Sequence, residues 1–185
     1  MKRRFVAAVI IAIAAGNLGC MTLAKQGFKE MRGARGKTLE IHALNRETVA
    51  ACRSVHVGEI VNEIGDWCPP DMVLGLQQSL PERLAELDEE LGGGSPRLYV
   101  DLHIQYAQKG GGIRAVLGKD QYLVGRVYLR DDGGARVAEL VTVAHSEAIS
   151  TGDEDMGEAA AEAIADYVRD CRKPLDEDES EDEDD

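Results

Sequence analysis

The amino-acid order predicts an α+β domain. It reads as a two-layer sandwich with a mixed sheet of about four strands, in the order β-α-β-β-β-α, and its helices on one face. Three observations carry this. Segments 97–108 and 121–130 alternate apolar and polar residues with the strand period of two. Segment 70–91 and the stretch after residue 152 instead carry apolar stripes at three- and four-residue spacing. The first helix lies between two strands, and a right-handed crossover makes those strands parallel neighbours. Helices that bury their stripes on one face of the sheet give two layers.

Segment 38–44 (TLEIHAL) alternates Leu39, Ile41 and Ala43 against Glu40 and His42, a weaker signal that leaves room for an extra N-terminal strand. Asn45-Arg46-Glu47-Thr48 suits the cap of a short helical turn running through Cys52. Segment 54–64 reads as a strand with Val55, Val57 and Val61 on one face and His56, Gly58, Ile60 and Asn62 on the other. Gly65-Asp66 ends it, and Trp67-Cys68-Pro69-Pro70 makes a stiff turn with Pro70 placed to open a helix. Met72, Leu76, Leu80, Leu84, Leu87 and Leu91 form the helical stripe. Because the stripe keeps its phase across Pro81, one kinked helix is expected rather than two. Gly92-Gly93-Gly94 stops it.

In the next strand Leu98, Val100, Leu102, Ile104 and Tyr106 alternate with Tyr99, Asp101, His103 and Gln105. In the following one Leu123, Gly125, Val127 and Leu129 oppose Tyr122, Val124, Arg126 and Tyr128. Asp131-Asp132-Gly133-Gly134 is a hairpin turn, and 136–146 pairs back, with a bulge expected where alternation falters at Leu140 and Val141. Thr151-Gly152-Asp153-Glu154 has capping-box spacing. The last helix then presents Met156, Ala160, Ala163, Ile164, Tyr167, Val168 and Cys171, and Pro174 ends it.

Charge is unevenly spread along the 185 residues, whose net charge is −13. Residues 176–185 (DEDESEDEDD) hold nine carboxylates in ten positions, a self-repelling tail expected to be disordered over 174–185. An acidic chain with such a tail is a poor nucleic-acid binder, so no nucleic-acid partner is expected. Lys25, Lys29, Arg32, Arg35 and Lys37 cluster in a basic, glycine-broken tether over 20–37, which suits an anionic lipid surface or simple solvation. The compact domain is then expected over 38–173.

The chain opens on the pattern of a secretory signal peptide. Lys2, Arg3 and Arg4 precede an eleven-residue apolar run over 5–15, too short to span a bilayer core of about 30 Å. Leu18-Gly19-Cys20 resembles the lipobox of bacterial lipoproteins, with Asn17 where that family usually has an apolar residue. The resemblance implies cleavage after residue 19 and acylation of Cys20, which would hold the mature chain on a bilayer, most simply the outer membrane facing the periplasm. Cleavage after Ala14 or an uncleaved anchor are the alternatives.

Cys52, Cys68 and Cys171 remain in an oxidising compartment. The predicted directions place Cys52 and Cys171 at one edge and Cys68 at the opposite end. Cys52 with Cys171 is therefore the expected disulfide, against three reduced thiols as the alternative.

Catalytic motifs are missing from the sequence: there is no GxxxxGK[ST], HExxH, GxSxG or GxGxxG, no zinc signature and no cofactor motif. Two constellations stand out. The loop Gly110-Gly111-Gly112-Ile113-Arg114-Ala115-Val116-Leu117-Gly118 mixes glycine, apolar and basic residues. It suits contact with a membrane or partner, or folding back over its own core. The polar sheet face gathers Tyr99, Asp101 and His103 with Arg126 and Tyr128, and carries an expectation of a ligand or metal site or, more plainly, a solvated face.

From Leu98 to Val168 the chain resembles an uncharacterised family of bacterial envelope lipoproteins. The resemblance rests on the loop motif, Leu129-Arg130-Asp131, the Gly133-Gly134 turn and the alanine-rich last helix. It implies an exported α+β domain and assigns no functional residue. The expectation is a non-enzymatic, lipid-anchored protein that binds another envelope component. A small-molecule or metal-binding lipoprotein using the Asp101/His103 face is the alternative.

Overall fold

The computed structural model describes residues 33–42, 45–109, 120–148 and 151–172. It is an α+β sandwich with five strands: β1 (Arg35–His42), β2 (Ser54–Asn62), β3 (Arg97–Gln108), β4 (Gln121–Arg130) and β5 (Arg136–Ser146). A short helix α1 (Arg46–Ala51) follows β1, α2 (Pro70–Leu91) links β2 to β3, and α3 (Asp153–Asp170) follows β5. The sheet order is β1-β5-β4-β3-β2, with β2 and β3 parallel and the other neighbours antiparallel. The extra N-terminal strand is therefore real and forms the edge beside β5. It starts at Arg35, so Arg35 to Lys37 belong to the sheet rather than to a tether. No described helix is long and apolar enough to cross a membrane.

The core lies between the helices and the inner sheet face. Met72, Leu76, Leu80, Leu84 and Leu87 of α2 meet Leu98, Val100, Leu102 and Ile104 of β3, and Leu123, Val127 and Leu129 of β4 complete the layer. Pro81 sits inside a single continuous α2, as the unbroken stripe predicts. Helix α3 lays Met156, Ala160, Ala161, Ile164 and Val168 on the same core. Gly75 lies against Glu154, and Arg169 reaches Glu90, so α2 and α3 run side by side in the same direction. Their backbones nearly touch: a Cβ on Gly157 would fall 2.5 Å from Met72 O and 2.6 Å from Leu76 N. The alanine-rich face of α3 likewise lets Gly36 of β1 approach Ala159 and Ala163.

Bulges shift the side-chain faces of two core strands away from strict alternation. In β2 the register slips between Val57 and Ile60, so two residues oppose Asp101 alone. The inward set becomes Val55, Val57 and Ile60 rather than Val61, because one extra residue inverts every later side chain. In β3 a slip between Ile104 and Tyr106 turns Tyr106 outward, 48% exposed, where simple alternation placed it with the core. The β4–β5 ladder, by contrast, runs evenly from Gln121↔Ser146 to Leu129↔Ala138, without the bulge expected at Leu140 and Val141. The alternation falters there because Val141 and Val143 stand on the outer face while the polar Thr142 between them is buried on the inner one. Glu139 also faces outward and is buried where Arg126 and Arg136 cover its carboxylate.

The caps also differ from expectation at one end. Asn45 accepts from the Thr48 N–H at 3.1 Å and starts α1 as predicted. Helix α3 begins one residue later than the capping-box reading, with Gly152 as N-cap and Asp155 accepting the Gly152 N–H at 2.7 Å. Thr151 is instead buried and shares a 2.6 Å hydrogen bond with Ser146.

Cys52, Cys68 and Cys171 are free, buried thiols, so the expected Cys52–Cys171 bridge is not formed. The geometric premise holds, since Arg172 beside Cys171 donates to the Cys52 carbonyl. The sulfurs have other surroundings: Cys52 Sγ donates to Thr48 O at 3.2 Å, and Cys171 interacts with Tyr167. Burial pushes all three thiols above their ordinary pKa.

Candidate functional site

Both long helices cover one side of the sheet, and among the described residues nothing packs over the other side. The register arranges that open face in rows. One row runs Lys37, Val143, Val124, Tyr106 and the next Leu39, Val141, Arg126, His103, while Tyr122 and His145 lie above them. Leu39 is 49% exposed and Tyr106 48%, and Val124, Val141 and Val143 between them are half-buried. An apolar strip therefore crosses the open face from edge strand β1 to β3, bordered by charged and aromatic residues. Alternation alone hid it, because valine in a strand reads as core on either face.

The five polar-face residues singled out from sequence are neighbours here. His103 opposes Arg126, Asp101 opposes Tyr128, and Tyr99 lies next to them opposite Arg130. Each is engaged within the fold. Asp101 is buried, receives both the Nε–H and Nη2–H of Arg130, and accepts the Glu59 N–H at 3.1 Å. That last bond pins the β2 bulge. Gly58 is needed there, because a Cβ at that position would collide with Asp101 Oδ1.

His103 pairs with Glu63 at 2.7 Å and lies 3.6 Å from Glu59, with the edge of its ring on Tyr128. The hydrogen bond from His103 holds the Glu63 carboxyl below its ordinary pKa, helped by Gln105. Arg126 reaches Glu139 at 3.1 Å, and Arg136 stacks over Tyr128 at 4.0 Å while also reaching Glu139. Tyr99 lies beside His56. The expected ligand cluster is thus a lattice of internal pairs, and its carboxylates are turned toward arginines and histidine.

The loop 110–118 and Cys20 lie outside the described residues. The residues on either side of the loop are held: Lys109 reaches Asp153 at 2.7 Å, and Gln108 donates to Asp120 O at 3.0 Å. Sequence reading passed over a third group. Asp120, His145 and Glu147 each bring a ligand atom within 4.8 Å of the others, although 25 residues of chain separate Asp120 from His145. Only the β4–β5 register reveals it.

Fold and site together define a two-layer α+β domain with an uncovered sheet face whose charges are mostly paired internally. No protein-family model and no curated protein sequence matches the chain. Among solved structures, a PelC dodecamer from Paraburkholderia phytofirmans and a point variant of it are similar at 12% identity. Their TM-scores are 0.42 and 0.43, and each match covers 71% of this chain and 95% of that one.

Proposed function

We propose that this chain is a membrane-anchored lipoprotein, held by acylated Cys20, whose non-catalytic domain faces the periplasm and binds another cell-envelope protein through the open sheet face. The carrying observation is the strip Leu39–Val141–Val143–Val124–Tyr106. A contiguous apolar patch rimmed by polar side chains marks a contact surface in water-exposed domains. The arginine and tyrosine residues around it are the side chains that protein interfaces favour. The reading of Asp101 and His103 as a ligand site has less support, because burying Asp101 against Arg130 leaves it no open coordination.

The test is photo-crosslinking in cells from position 124, with position 83 on the exposed outer side of α2 as control, followed by mass spectrometry. A specific envelope protein captured only from position 124 supports the proposal. Equal capture from both positions, or from neither, refutes the docking face. The same spectra report the N-terminus, and an unmodified residue after Ala14 in place of acylated Cys20 refutes the anchor alone.

A further inference from the structure

We infer that His145, Asp120 and Glu147 form a binding site for one divalent transition-metal ion at the end of the open sheet face. The pairs Tyr122↔His145 and Gln121↔Ser146 bring Asp120, just ahead of β4, next to Glu147, just after β5. His145 and Glu147 are two residues apart on one strand path and so point to the same side. One ligand atom from each lies within 4.8 Å of the other two.

The histidine supplies the specific signal. Its Nε2 is shielded from solvent, makes no hydrogen bond and stands 3.4 Å from Asp120 Oδ2. A tetrahedral ion with bonds of about 2.1 Å keeps two of its ligand atoms about 3.4 Å apart. That pair therefore already has the spacing of one edge of a coordination shell, and a Glu147 carboxylate oxygen lies within 4.8 Å of both atoms. The surroundings hold the ligands as an outer shell does. Tyr122 stacks on the imidazole at 4.8 Å, and its hydroxyl donates to Asp120 Oδ2 at 3.2 Å. One imidazole and two carboxylates without thiolate suit Zn²⁺, Co²⁺ or Ni²⁺ better than Ca²⁺ or Mg²⁺, which favour all-oxygen shells. Three protein ligands leave a position open for water or for a donor atom from a partner. The competing account is a plain histidine–aspartate ion pair, which the same 3.4 Å separation allows.

The experiment is calorimetric titration of Zn²⁺ into the full chain in detergent, with Co²⁺ absorption as a second readout. The acidic run at 176–185 contributes weak, unsaturable binding in every variant. The expected result is one saturable site per chain. His145→Gln and Glu147→Gln each weaken it at least about tenfold, and His56→Gln, far along the same face, leaves it unchanged. Co²⁺ should show ligand-field bands that disappear in His145→Gln. Glu147 is exposed, so its variant tests the site even where His145→Gln fails to fold. The inference is overturned if no saturable site rises above the tail's background, or if the site survives both substitutions, which leaves the ion pair only.

Discussion

The sharpest test of the site's architecture is a cycle of substitutions at Gly58 and Asp101. If Asp101 clamps the β2 bulge rather than waiting for a ligand, Gly58→Ala must be harmful, because the new methyl would collide with Asp101 Oδ1. The carboxylate cannot yield cheaply. It is held by two guanidinium hydrogen bonds and by the Glu59 N–H at 3.1 Å. Asp101→Ala removes all three. Hydrogen bonds to charged groups contribute roughly 1.5–3 kcal/mol each when buried, but the Arg130 side chain is 37% exposed and recovers much of its loss in water.

The expected cost is about 2–3 kcal/mol, a fall in Tm of roughly 4–12 °C for a domain of this size. Gly58→Ala should cost a similar amount. The decisive quantity is the coupling. Once Asp101 is alanine, a methyl at 58 meets only the Arg130 guanidinium at 3.1 Å, the far end of a flexible side chain that has lost its carboxylate partner, and the second substitution becomes close to neutral. Urea denaturation of the parent, the two single variants and the double variant measures it. Additive costs, or an Asp101→Ala variant within about 0.5 kcal/mol of the parent as at ordinary surface positions, would refute the clamp.

Three further outcomes follow from the same structure. Gly157→Ala should destabilise by about 2 kcal/mol despite alanine's helix-propensity advantage of about 1 kcal/mol, because its Cβ would press on α2 backbone atoms; thermal melts showing equal or higher stability would contradict this. In a Cys20→Ser chain at pH 8, the three thiols should resist a thiol reagent until denaturant is added and then react as three per chain, since burial both shields them and raises their pKa; fewer than three would reveal a disulfide. His103→Ala should return the Glu63 carboxyl toward its ordinary pKa, readable by NMR titration. Glu63 is depressed in the folded state, so its contribution is present above the unfolded pKa and lost as pH falls through the folded value. The acid limb of stability in that window should therefore flatten in His103→Ala, and an unchanged Glu63 titration would count against the pair.

Much of the fold was readable from local pattern because most strands keep one face in the core throughout. The β4 alternation, the unbroken leucine stripe across Pro81 and the Asp131–Gly134 turn each translate directly into structure. Reading failed where one residue changed the phase. The bulges in β2 and β3 depend on Asp101 reaching across to the Glu59 N–H and on a slip beside Gln105, interactions between strands that no single segment contains. Val141 and Val143 misled in the opposite sense, since apolar side chains on the outer face of an evenly paired β5 read as a break in its alternation. The Asp120–His145–Glu147 group was illegible for a similar reason: its members meet only through the antiparallel register.

The pairing of β1 has a kinetic consequence. Thr38 bonds to Thr142 across 104 residues, so the first described strand must wait for the last one before its ladder can close. The β2–α2–β3–β4–β5 body can collapse first, and β1 then adds as the final rung, a long loop closure of the kind that slows folding. Until then its edge and the β5 edge are both open to wrong partners. The lysine and glutamate of β1 are charged side chains of the kind that discourage such mispairing at a sheet edge.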